Sequence, residues 1–185
     1  MKHPLSRIAL LLAPCSLLLL SGCNILPEPQ ADPVRYFTLS GPPTAEAMAD
    51  APTVRPVRMA GYLRNRAMAV RVSANEVIYL DAVRWAEPLD EAITQILRNR
   101  LRPMGGGASI VVNLLRCELV RSDGNQVELS ATYTITPAAG SGEARSGTFT
   151  ATPLTWNGGD HGTLVGLIRQ QAEELADAIA AAVEK

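Results

Sequence analysis

Apolar and polar positions along the chain follow two rhythms. Residues 34–39, 53–59, 68–72 and 77–80 are short runs rich in β-branched and aromatic side chains, which predict four strands. Pro56 places the second of these at a sheet edge or a strand start, because it has no N–H to give to a ladder. Residues 61–65 read as a turn, and Ser73-Ala74-Asn75-Glu76 joins the third and fourth runs as a hairpin. The rhythm then changes. Leu89, Ile93, Ile96, Leu97 and Leu101 lie on one face of a helix that starts near Trp85 and extends to about residue 102. Pro88 suits its first turn, the acids Glu87, Asp90 and Glu91 its start, and Arg98, Arg100 and Arg102 its end, the order that complements a helix dipole. Residues 109–120 return to strand, apolar on both faces at Ile110, Val111 and Val112 and then alternating, with Leu115, Cys117 and Leu119 on one face. Val127, Leu129, Ala131, Tyr133 and Ile135 alternate with polar residues, and residues 145–152 return with Phe149 and Ala151 inward. A last helix, about 162–184, carries the stripe Leu164, Ile168, Ala172, Leu175, Ile179 and Val183, with Asp160 as its cap. Its exposed side holds Arg169, Gln170, Glu173, Glu174 and Asp177.

These elements predict an α+β fold: a mixed, largely antiparallel sheet covered by two main helices, about 85–102 and 162–184. The first helix suits a crossover between parallel neighbours 77–80 and 109–120, and the last three strands an antiparallel meander.

Ahead of the first strand the pattern is neither helix nor strand of a folded domain. Met1, Lys2, His3 and Arg7 precede an apolar run that opens at Ile8, the layout of a secretory leader, and the run is shorter than the ~20 residues of a membrane span. It closes on Leu20-Ser21-Gly22-Cys23, which resembles the lipobox of bacterial lipoproteins; the bland alternative is an ordinary leader with a chance cysteine. The resemblance implies cleavage between Gly22 and Cys23 and acylation of Cys23. Residues 24–33 contain Pro27, Pro29 and Pro33 and read as an extended tether. The expected organisation is a leader at 1–22, a lipidated cysteine and tether at 23–33, and one periplasmic domain at 34–185.

Charge and cysteine usage narrow the function. Of 17 basic and 18 acidic side chains, Lys2 and Arg7 lie in the leader, which leaves 15 against 18, a net charge of −3. That is no nucleic-acid footprint and no polybasic membrane patch. Cys15 leaves with the leader and Cys23 would carry lipid, so Cys117 alone remains and reads as a small buried hydrophobe. A hydrolytic triad or a zinc site has little to work with: His161, beside Asp160, is the one histidine after the leader. Gly105 to Gly107 and Gly158-Gly159 lack the spacing of phosphate loops. No catalytic residue, metal or cofactor is expected beyond the covalent lipid on Cys23.

Arg84 and Trp85 stand at a strand-to-helix junction. Trp85 reads as a core anchor with Arg84 paired to Asp81 or Glu87, or the two belong to a partner interface, where Trp and Arg are enriched. Tyr62, Leu63 and Arg64 in the turn read the same two ways.

A wider pattern resembles the ABC-type transport auxiliary lipoprotein family. It comprises the lipobox, Tyr36-Phe37-Thr38-Leu39, Val54-Arg55-Pro56-Val57, Tyr62-Leu63, Arg71, Asn75-Glu76-Val77-Ile78-Tyr79 and Arg84-Trp85-Ala86-Glu87-Pro88-Leu89. One departure is Gly61, where the family places Pro before the Tyr. The resemblance implies a non-enzymatic lipoprotein on the periplasmic face of the outer membrane. In such systems it docks an MCE-domain protein that moves lipids between the two membranes of a Gram-negative bacterium, in some cases as a homo-oligomeric ring. Asn24 after the cysteine fits outer-membrane delivery. The competing expectations are a lipid-binding periplasmic module in its own right, which needs an apolar cavity of a few hundred Å³, and a periplasmic hydrolase built on Asp160 and His161.

Overall fold

The computed structural model describes residues 33–42, 46, 48–138 and 142–184. The expected leader, the Gly22–Cys23 cleavage site and the tether up to residue 32 lie outside the described residues, as do parts of the loop at 44–52 and of the turn at 139–142. The elements run β1 (Arg35–Phe37), β2 (Thr53–Val54), β3 (Arg58–Met59), a 3-10 turn (Gly61–Arg64), β4 (Ala67–Ser73), β5 (Glu76–Trp85), α1 (Leu89–Leu101), β6 (Ser109–Val120), β7 (Gln126–Thr136), β8 (Arg145–Thr150), β9 (Leu154–Thr155) and α2 (His161–Val183).

The strands form one mixed sheet in the order β1-β5-β4-β6-β7-β8, with β2 and β3 also on β6 and β9 on β7. The α+β class holds, and β6, β7 and β8 form the expected antiparallel meander. The crossover does not join neighbours. Helix α1 leads from β5 to β6, but β4 lies between them, antiparallel to β5 and parallel to β6. The hairpin β4–β5 inserts its own first strand beside β6, and the tight turn at 73–76 makes that pairing available before the helix returns the chain.

Two further corrections concern parity. The run 53–59 is not one strand. Thr53 and Val54 pair with Ser109 and Ile110, whereas Arg58 and Met59 pair with Asn113 and Leu114, so four steps on one side face three on the other. The extra residue falls around Pro56, which has no amide hydrogen for the ladder. The Arg55 amide still reaches the Ile110 carbonyl at 2.9 Å, but the Val57 amide turns to Thr94 Oγ1 of α1, also at 2.9 Å. In β6 the register shifts between Leu114 and Arg116. Ile110, Val112 and Leu114 point into the core before this bulge, Cys117 and Leu119 after it, and Leu115 is 45% exposed instead of buried.

Both helices contribute to the core. Leu89, Ile93, Ile96, Leu97 and Leu101 of α1 are all buried, as are Leu164, Ile168, Ala172, Leu175 and Ile179 of α2. Burying each large aliphatic side chain is worth about 1.5–3 kcal/mol, which offsets much of the cost of ordering the helices. Asp160 caps α2 as expected, its side chain accepting from the Gly162 amide. The polar side of α2 is less free than its sequence implies. Gln171 is fully buried and donates to the Val127 and Thr152 carbonyls, Glu174 accepts from Thr152, and Arg169 donates to the Ser40 carbonyl.

Candidate functional site

The strand-to-helix junction is the first place where sequence and geometry meet. Strand β5 continues through Trp85, and α1 begins only at Leu89, with Pro88 outside it as the N-cap. The helix start near Trp85 is therefore corrected: Trp85 pairs with Phe37 of β1 and donates its amide to the Arg66 carbonyl at 2.8 Å, so it belongs to the sheet. Its side chain is 3% exposed and packs in the core, as does that of Leu89. Among the described residues Arg84 has no carboxylate at ion-pair distance; its Nε donates to the Asp81 carbonyl at 3.1 Å. Glu87 reaches the other way. Its Oε1 accepts from the amides of Leu39 and Ser40, both at 2.9 Å, and its Oε2 accepts from the Ser40 hydroxyl at 2.6 Å. Burial alone would raise this carboxyl, but the Ser40 and Leu39 donors, with Arg169 nearby, hold it below its usual range. Arg84 to Leu89 is thus a lock: Trp85 and Leu89 fill the core and Glu87 fastens the exit of β1.

The 3-10 turn fills a gap in the sheet. β3 leaves β6 at Leu114 and β4 joins it only at Leu119, and Gly61–Arg64 bridges the stretch between. Leu63 is buried, the Ala60 amide meets the Leu114 carbonyl at 3.1 Å, and Tyr62 Oη approaches the Leu115 carbonyl at 3.4 Å. The Tyr62 ring lies 5.7 Å from the Arg71 guanidinium, and Tyr79 Oη donates to the Tyr62 carbonyl. Arg71 in turn forms a forked pair with Glu118, at 2.6 and 3.2 Å, and the Glu118 side chain is fully buried. Burial, and then the negative charge of Glu118, push the Tyr62 hydroxyl up to about 12. Glu118 carries no signal in the sequence beyond being a charged residue among apolar ones. The bulge at Leu115 sets its side chain where Arg71 can take it.

The bulge at Pro56 has a parallel effect on charge. Val54 and Val57 are buried while Arg55 and Arg58 are exposed. In an unbroken strand residues 55 and 58 would face opposite sides; the extra residue turns both outward. Both line one surface cleft of about 680 Å³ with Arg64 of the 3-10 turn, Asp90 of α1, and Ser109, Val111 and Thr136. Arg64 and Asp90 also line an adjoining cleft of about 440 Å³ with Arg66, beside Trp85 and Glu87. Among the described residues no carboxylate lies within ion-pair distance of Arg55, Arg58, Arg64 or Arg66. Of the residues singled out in the sequence, Arg64 faces this surface, Tyr62 roofs Arg71, Leu63 and Trp85 are core, and Arg84, paired with Ala67 in the sheet, lines neither cleft. Arg55 stands in the sequence only within Val54-Arg55-Pro56-Val57, and Arg58 and Arg66 carry no signal there, because the approach of Arg55 to Arg58 depends on the bulge.

The residues weighed for catalysis hold structural positions. Asp160 accepts from Arg35 at 2.9 Å as well as capping α2, and its carboxyl is held low chiefly by Arg35. His161 packs against Trp156, ring centroids 5.3 Å apart. Cys117 is buried, which pushes its thiol up to about 12. Among the described residues no cluster of His, Cys, Asp or Glu has the arrangement to hold a metal ion. The clefts on the described surface, such as the 340 Å³ one between Leu39, Ile96, Asn99, Arg100, Arg169 and Glu173, mix charged with apolar walls.

Among the described residues a mixed nine-stranded sheet is covered by two helices, an α+β fold. The model of the family described as ABC-type transport auxiliary lipoprotein component matches residues 37–180, and the chain belongs to that family. No curated protein matches the chain. Solved structures share the fold, two of them over most of the chain. One, of an uncharacterized protein, is 18% identical with a TM-score of 0.63, covering 80% of this chain and 97% of its own. The other, protein XCC0632 of family DUF330 from Xanthomonas campestris, is 12% identical with a TM-score of 0.60, covering 78% and 92%. Membership places the chain among the lipoprotein auxiliaries of ABC-type transport.

Proposed function

We propose that this protein is the outer-membrane docking subunit of an MCE-type system that moves lipids between membranes. Cys23 carries the lipid that fixes the chain to the periplasmic face of the outer membrane, the proline-rich tether spaces the domain from the bilayer, and the domain holds an MCE-domain protein. The observation that carries this reading is the family match over residues 37–180, joined to a Leu-Ser-Gly-Cys sequence at 20–23. The commitment of Asp160, His161 and Cys117 to capping and packing supports a binding role over a chemical one. A homo-oligomeric ring of copies around the partner is compatible with a small anchored domain.

The test is partner retention. Tagged, membrane-anchored protein is extracted gently after mild crosslinking, and the proteins held with it are identified by mass spectrometry. An MCE-domain protein recovered in stoichiometric amount is expected. Its consistent absence contradicts the docking role, and recovery of stoichiometric phospholipid without any MCE protein transfers support to the lipid-carrier reading.

A further inference from the structure

We propose that the cleft between the bulged β2–β3 segment and the 3-10 turn binds a phosphate-bearing anionic ligand. Three guanidinium groups, on Arg55, Arg58 and Arg64, line this one cleft of about 680 Å³. They come from two elements, so a ligand between them is approached from more than one direction. Asp90 is the only carboxylate among the lining residues, which leaves the cleft with two excess positive charges. The adjoining cleft brings Arg66 together with Glu87 and leaves this excess unchanged. This concentration stands out in a chain whose formal net charge is −1.

The sequence goes to some length to build it. Without the bulge at Pro56, Arg58 would face away from Arg55. Like charges placed together and left without a counter-charge repel one another and lower stability. Bulges that re-aim a side chain recur beside binding sites. Arg35, Arg100 and Arg116 are paired with Asp160, Asp177 and Glu128, whereas among the described residues Arg55, Arg58 and Arg64 have no such partner and differ from other unpaired arginines, such as Arg121 and Arg145, in converging on one cleft.

Phosphate chemistry fits the cleft better than a carboxylate. A guanidinium offers a planar fork that takes two oxygens at once. One carboxylate has two oxygens and one charge, enough for a single fork. A phosphate group presents several oxygens in a tetrahedral array and up to two charges, so three forks from different directions can share it. Ser109 and Thr136 bring hydroxyl groups to the same walls. The phosphate belongs either to a lipid headgroup, a diester with two free oxygens and one charge, or to a free phosphate monoester, with three free oxygens and up to two charges, and guanidinium forks take the free oxygens of either. This inference stands apart from the docking role, which partner retention tests separately.

The experiment uses the full chain in micelles of an uncharged detergent and reads the thermal midpoint. Inorganic phosphate is compared with sodium chloride at equal ionic strength, and micelles doped with short-chain phosphatidylglycerol are compared with undoped ones. Bound anion stabilises the folded state, so the midpoint rises by at least about 4 °C over the chloride control at saturating ligand. Arg58→Gln, and separately Arg55→Gln with Arg64→Gln, weaken binding at least tenfold while leaving the midpoint in chloride at or slightly above the wild-type value, because these side chains are exposed and their mutual repulsion is relieved. Arg116→Gln, outside the cleft, leaves the ligand shift intact. A shift with inorganic phosphate alone identifies a free phosphate ester as the source, and a shift with the doped micelles alone identifies a lipid headgroup. No shift beyond the chloride control in either arm, or the same shift in the cleft variants as in the wild type, overturns the proposal.

Discussion

Glu87 and Ser40 are joined by two hydrogen bonds across 47 residues of sequence: the carboxylate takes the Ser40 amide at 2.9 Å with one oxygen and the Ser40 hydroxyl at 2.6 Å with the other. This pair explains why a carboxylate belongs between Trp85 and Pro88. The core residues on either side fix the backbone, and Glu87 then ties the exit of the edge strand β1 to the start of α1. Removing the carboxylate leaves partly buried donors without an acceptor, which costs about 1–3 kcal/mol. Glu87→Ala is therefore expected to lower the urea midpoint by that amount, and more than Arg84→Gln, whose side chain meets only a backbone carbonyl.

The same carboxyl predicts a pH dependence. Its folded value lies below 4.5, the value it takes when free. Its contribution is thus fully present above pH 4.5 and is lost as pH falls through the folded value. Thermal midpoints recorded from pH 6 downward should fall less steeply in Glu87→Gln than in the wild type. Equal slopes would show that Glu87 is not held in this way.

Cys117 and Tyr62 act at the other end of the scale. Both are raised to about 12, from 9.0 and 10.0 respectively. The folded state keeps protons that the unfolded chain gives up, so stability is complete below pH 9 and declines as pH rises from 9 toward 12. Cys117→Ser should flatten the first part of that decline. Native protein at pH 8 should leave Cys117 unmodified by a maleimide over hours, with rapid labelling once guanidinium unfolds it; fast labelling of the native state would contradict its burial.

Arg71 and Glu118 form an ion pair around a fully buried carboxylate, with Arg116 Nε 4.0 Å from the same oxygen. Glu118→Gln or Arg71→Met alone strands a charge in a buried setting and is expected to cost about 3–5 kcal/mol. The double change to Met and Leu should cost markedly less than the two single changes together, and a double-mutant cycle by urea unfolding measures the coupling.

These relationships differ in how far the sequence discloses them. The faces of α1 and α2 and the meander of β6, β7 and β8 follow from apolar spacing, because helix and strand periods are local. The parity reversals at Pro56 and Leu115 do not. A bulge adds one residue to one strand, and its presence depends on the partner strand. Leu115 therefore reads as core and stands in solvent. Leu115→Ser should change stability by no more than about 0.5 kcal/mol, against about 2–5 for Leu119→Ala. The candidate surface was half legible for the same reason: Tyr62 and Arg64 stand out in a turn, but Arg55 and Arg58 become neighbours only through the bulge. Glu87 was visible as a charged residue before a proline, while its partners lie 47 and 48 residues upstream.

The docking role rests on where the domain is held, and one measurement addresses it most directly. Inner and outer membranes are separated on a density gradient from cells carrying the wild type or Cys23→Ser, and the MCE-domain protein is followed across the fractions. The account predicts that the wild type bands with the outer membrane and brings part of the MCE protein with it. In Cys23→Ser cells, with the domain folded and equally abundant, the MCE protein should remain with the inner membrane. An MCE distribution unchanged by Cys23→Ser would contradict the account.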